Sequence, residues 1–199
     1  ANLFKVWKDK KLQNVIVELL EIIEKHFINT ETGHLRLFFN EEWVEKPDVI
    51  SYGHDIEAAW LLLQCAEISE DNTLIAHYKK HAIQMAEVTQ EGLDIDGGLW
   101  YELDPKDNKL VAEKHWWVQA EALIGFYNAY QLTGDEKYLN LVLKNWAFIK
   151  EYILDPKNGE WFWGVDGNYA LIEKDKAGFW KCPYHNSRAC IELMNRITV

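Results

Sequence analysis

The stretch Ser51-Tyr52-Gly53-His54-Asp55-Ile56-Glu57-Ala58-Ala59-Trp60-Leu61-Leu62-Leu63 decides how this chain is read. From Ala58 onward it is apolar on nearly every side, which is the pattern of a helix enclosed by other helices, not one lying against water. A second stretch, Ala120 to Phe126, repeats the pattern after His115, whereas Leu12–Ile23 and Leu74–Ala86 carry their apolar residues at i, i+3, i+4 spacing and keep a polar face. Inner and outer helices therefore alternate.

Periodicity places six amphipathic or apolar helices at roughly 9–27, 55–69, 72–90, 116–132, 135–153 and 185–197. Between them recurs a glycine-marked aromatic segment that runs on to a histidine. Gly33-His34-Leu35-Arg36-Leu37-Phe38 leads to His54, Gly97-Gly98-Leu99-Trp100-Tyr101-Glu102 to His115, and Gly159-Glu160-Trp161-Phe162-Trp163 to His185. Three helical hairpins with unequal connecting loops make an all-α arc of an α/α toroid, with short β-hairpin-like loops gathered at one end. Three hairpins do not close a ring. With the chain opening at Ala1 and no initiator methionine, the expectation is one domain over residues 1–199 that is half of a barrel, its N-terminal half absent.

A chain of 199 residues, nearly half of them hydrophobic, has ample material for a core. Its net charge of −11 and the lack of any basic run exclude a protein that works by neutralising nucleic-acid phosphates. No apolar stretch reaches the roughly 20 residues needed to cross a bilayer. Three cysteines without CxxC spacing, and no signal-like start, point to the reducing cytoplasm. The compositional outlier is tryptophan, ten in all, of which at least half are expected to fill core.

The segments Ser51–Trp60, His115-Trp116-Trp117-Val118-Gln119-Ala120-Glu121-Ala122 and Lys176-Ala177-Gly178-Phe179-Trp180-Lys181-Cys182-Pro183-Tyr184-His185-Asn186-Ser187-Arg188 resemble, in this order, the cellobiose 2-epimerases of the N-acylglucosamine 2-epimerase superfamily. The resemblance spans essentially the whole chain. It implies an (α/α)6 barrel of twelve helices around a central pocket, about six of them encoded here, and epimerisation at C2 of a reducing saccharide. It assigns the acid/base roles to His54 and His185, with Glu57 supporting or binding the sugar. Trp116, Trp117, Trp180, Tyr52, Glu121 and Arg188 are the expected substrate-binding positions. A family arginine and tyrosine belong to the half not present.

The chemistry suits these residue types. Removing the proton beside the C1 aldehyde and returning one to the opposite face needs two acid/base groups flanking one carbon, and imidazole titrates near neutrality. No cofactor is required, and no metal is expected, since no His/Asp/Glu set shows metal-ligand spacing. A histidine at a helix start is held neutral by the dipole. Glu57, three residues past His54, is placed to orient its ring, and Arg188 is a local cation for the enediolate. Of the paired tryptophans, one should line the pocket and the other pack outward. His115 fits the repeat with a weaker claim on the pocket. His26, His34, His77 and His81 read as surface or loop residues, and the cysteines as small core or pocket-wall residues.

Rival readings are an aldose–ketose isomerase of the mannose isomerase type, a non-catalytic carbohydrate-binding module, and a glycoside hydrolase, which would need two opposed carboxylic acids and leave the histidines unexplained. An exposed inner face would favour a homodimer or the missing half as partner.

Overall fold

The computed structural model describes residues 1–46 and 49–197. A short helix α1 (Asn2–Val6) precedes three outer–inner pairs: α2 (Lys10–Ile22) with α3 (Tyr52–Ile68), α4 (Asn72–Val88) with α5 (Trp116–Thr133), and α6 (Glu136–Phe148) with α7 (Tyr184–Ile197). The six long helices match the expected segments, and α1 is an addition that the periodicity did not show. The inner helices pack in series, α3 on α5 and α5 on α7, while α2 lies against α3, α4 against α3 and α5, and α6 against α5. The result is a two-layered arc.

Two kinds of helix start separate the layers. Each outer helix opens on an aspartate whose carboxylate accepts backbone N–H bonds of the first turn: Asp9 from Lys11 and Leu12, Asp71 from Thr73 and Leu74, Asp135 from Lys137. Two inner helices instead run straight out of short strands. β1 (Ile50–Ser51) leads into α3 and pairs with β2 (Glu102–Asp104), which pairs with β3 (Lys109–Val111); β4 (Glu113–His115) leads into α5 and pairs with β5 (Gly164–Asp166). These antiparallel ladders fix where each inner helix begins, and so where His54 and His115 stand. The expected hairpin-like loops are these two small sheets.

Helix α5 is the hub. From Val118 to Phe126 every residue is buried, and Gly125 lets α3 approach so closely that a Cβ there would meet the Ile56 side chain at 2.4 Å. Gly134, in the left-handed conformation at φ 70°, closes the helix with a bond from its N–H to the Tyr130 carbonyl. Six tryptophans, at positions 60, 100, 116, 117, 161 and 163, sit in or against the core, in line with the expectation. No helix among the described residues is long and apolar enough to cross a membrane.

Several sequence expectations are corrected here. His34 is buried, its Nδ1–H donating to Asp55 at 2.7 Å, and His81 is largely buried against His77 and Tyr78. Cys182 and Cys190 are exposed, not core, and Cys65 is half-buried. In each case the sequence showed a residue type but not which side of the helix or loop its neighbours would cover.

Candidate active site

The inner-helix starts and the loop before α7 enclose an open cavity of about 970 Å³, with His54 and His185 both in its wall. Trp117 stands between them: its ring lies 4.9 Å from that of His54 and 5.7 Å from that of His185. The indole owes its position to Gly53, where a Cβ would come within 2.5 Å of it. Glu57, Tyr101, Glu113, His115, Trp116 and Trp163 complete the inner wall, and residues 173–180 form the rim. That rim loop is anchored by Lys181, whose fully buried ammonium donates to Glu160, to the Trp161 carbonyl and to the Lys176 carbonyl at 2.8–2.9 Å.

The two histidines are held differently. His185 Nδ1 lies 2.7 Å from Oε1 of Glu121, which is fully buried. A carboxylate only accepts, so Nδ1 carries the proton and the neutral ring keeps its lone pair on Nε2. Glu121 Oε1 also accepts from Arg188 at 2.5 Å, and Oε2 accepts from the Trp60 indole N–H at 3.0 Å. Arg188 reaches on to Glu57 at 2.7 Å and lies between the rings of Trp60 and Tyr184. A buried carboxylate with three donors is satisfied, and two carboxylates around one guanidinium leave one net negative charge beside His185.

His54 Nδ1 instead shares a 2.7 Å hydrogen bond with the Ser51 hydroxyl. A hydroxyl donates or accepts by rotating, so this partner serves either tautomer. The ring is exposed to the cavity, yet the surrounding walls strip water from it, and desolvation holds its pKa below the usual 6.5 despite the opposing pull of Glu57 and Asp55. Burial is the leading cause of the shift at His54. A second histidine–carboxylate pair lines the same cavity: His115 bonds Glu113 at 2.6 Å and lies against the Tyr101 ring at 4.1 Å, its pKa likewise lowered by burial.

Other expected positions fall elsewhere. Tyr52 is buried in the core with its ring against Gly92, away from the cavity. Glu121 and Arg188 lie behind the wall, where they position His185 and do not line the cavity themselves. Arg188 is committed to two carboxylates, which removes it as a free cation for an enediolate. Glu57 lines the cavity but bonds Arg188 and leaves the His54 ring to Ser51. Trp116 and Trp117 both line the cavity, Trp116 buried with its ring 4.6 Å from that of Trp163 and tilted 59° to it, so neither packs wholly outward. Trp180 is 80% exposed on the rim beside Phe179. Ser51, Trp60, Tyr101, Glu113 and Trp163 carried no assigned role; Ser51 and Trp60 sat inside the quoted motif, three residues either side of His54 and Glu57.

Glu57, Glu121 and His185 bring three ligand atoms within 4.8 Å of one another, the geometry of a metal cluster. The guanidinium of Arg188 bonds both carboxylates, so a cation already holds that place.

An all-α arc of paired outer and inner helices, with two histidines lining a cavity at its loop end, places the chain among the α/α-toroid proteins. The profile of the N-acylglucosamine 2-epimerase (GlcNAc 2-epimerase) family matches residues 3–189, and the chain belongs to that family. It is 43% identical over 195 residues to the cellobiose 2-epimerase of Bacteroides fragilis, covering 98% of this chain and 50% of that protein. The solved cellobiose 2-epimerase of Bacillus thermoamylovorans superposes with a TM-score of 0.90 at 37% identity, covering 98% of this chain and 50% of that one. A D-mannose isomerase of Marinomonas mediterranea is 31% identical over 150 residues, 74% of this chain and 37% of that protein. The chain thus spans about half the length of the curated epimerases it matches, and the fold is half of an (α/α)6 barrel.

Proposed function

We propose that this chain is the C-terminal half of a sugar 2-epimerase that interconverts C2 epimers at the reducing end of a saccharide of the cellobiose or N-acylglucosamine type. The observation that carries the reading is a pair of histidines that line one cavity, both against Trp117, with different partners behind them. His185, its Nδ1–H tied to Glu121, takes the C2 proton on Nε2, and the carboxylate stabilises the imidazolium that forms. His54, entering the step as the imidazolium, gives its Nε2 proton to the other face of the planar enediolate and is left neutral, its Nδ1–H donating to the Ser51 hydroxyl. The reverse reaction exchanges the two roles.

Sugar recognition follows from the same wall. Trp117 offers an aromatic face to a pyranose C–H surface. No cofactor is needed for this proton transfer. Free cysteines favour a cytoplasmic setting. The remaining half of the barrel would cover the apolar residues now exposed on α7 (Ile191, Met194, Ile197) and on α1 and α2 (Val6, Val15, Leu19).

In the full-length protein, substrate in D2O should gain deuterium at C2 and yield the C2 epimer. Replacing His54 or His185 by Asn should lower exchange at least about 10²-fold, the usual contribution of a positioned acid or base. A ketose as the sole product would favour the aldose–ketose isomerase instead, and undiminished exchange in either variant would overturn the two-histidine account.

A further inference from the structure

On the outer wall, remote from the cavity, three ligating side chains meet. His77 and His81 are one turn apart on α4, and Glu24 comes from the π turn (Ile23–Phe27) that ends α2. His77 Nε2 lies 2.6 Å from Glu24 Oε1 and 3.0 Å from His81 Nε2, and all three atoms lie within 4.8 Å of one another. One nitrogen therefore has two partners and room for at most one proton. If His77 Nε2 is protonated, its single N–H must serve both the carboxylate and the other imidazole. If it is not, its lone pair faces that of the carboxylate at 2.6 Å.

We propose that Glu24, His77 and His81 form a binding site for a divalent transition-metal cation of the zinc class, which replaces the shared proton and fastens the first outer helix to the second. Two imidazoles and a carboxylate are the borderline ligands that such cations select. Zinc at 2.0–2.2 Å from each donor sets donor–donor distances of about 3.3 Å, so the two short contacts open slightly and the third closes. The i, i+4 spacing keeps both rings on one face of α4. The frame is preformed: Tyr78, between the two histidines in sequence, donates its buried hydroxyl to the Leu20 carbonyl at 2.6 Å and pins α4 to α2. Access is open, since the Glu24 and His77 side chains are 38% and 42% exposed, which lets water complete the coordination.

The full-length protein, freed of any affinity tag and treated with chelator, is titrated with ZnCl2 by calorimetry, with Co2+ absorption as a second probe of ligand geometry. One Zn2+ should bind, and Glu24→Gln and His77→Gln should each weaken it by more than the 10–100-fold that loss of a mere supporting group costs. Both residues are exposed enough for these variants to fold even if His81→Gln does not. His185→Gln should keep the binding, which separates this site from the Glu57/Glu121/His185 cluster. No saturable binding, or equal binding in His77→Gln, would overturn the proposal. Loss of binding in His185→Gln alone would do the same by moving the ion to the cavity.

Discussion

Glu121→Gln tests the arrangement behind His185 most directly. The carboxylate is fully buried and accepts from His185, Arg188 and Trp60, so all three neighbours present donors to it. An amide has only one accepting oxygen. Turned toward Arg188 and His185, that oxygen puts its NH2 against the Trp60 N–H; turned the other way, the NH2 faces the guanidinium. Either orientation sets donor against donor. Removing one partner of a buried ion pair costs about 3–5 kcal/mol, and Arg188 retains Glu57, so the lower end applies, about 3 kcal/mol. With a urea slope of about 2 kcal/mol/M, the unfolding midpoint should fall by about 1.5 M at unchanged slope. Turnover should fall more steeply, by about 10²–10⁴-fold under conditions where the variant is fully folded, because His185 loses the group that fixes its tautomer. Adding Arg188→Met should recover part of the stability and none of the turnover. A single variant with wild-type midpoint and wild-type deuterium exchange would refute the reasoning, since a carboxylate that matters to neither fold nor His185 is not the anchor described.

Two further outcomes follow. Gly53→Ala drives a methyl to within 2.5 Å of the Trp117 ring, which must move; overpacking of this kind costs about 1–3 kcal/mol, and KM for the saccharide should rise because the displaced indole is the surface between the two histidines. An unchanged KM and melting temperature would show that the ring yields without consequence. The second concerns acid stability. The folded pKa of His54 is depressed below 6.5 by burial, so above that value both states are neutral and nothing changes. As pH falls below about 6.5 the unfolded chain takes up the proton first, and stability declines until the lower folded pKa is reached. His54→Gln should flatten that part of the thermal-stability profile, although His115 and His81, also depressed, keep some slope, and His34, raised by Asp55, opposes it. A profile identical to wild type would show that His54 is not desolvated.

The sequence by itself determined the layers. Apolar-all-round runs at 58–63 and 120–126 can be satisfied only by enclosure, so the order and placement of the six long helices were legible from local pattern, while the short α1 was not. The three motifs likewise carried His54 and His185 to one place. What the tertiary structure alone decided is which atoms face each other. Glu121 sits in the same motif as Trp117 yet lies behind the wall, because on an enclosed helix neighbouring residues point in different directions and composition no longer distinguishes them. His34 meets Asp55 from 21 residues away, and Glu24 meets His77 from 53. Contacts of that kind are set by how helices pack against one another, a quantity that no spacing along the chain records.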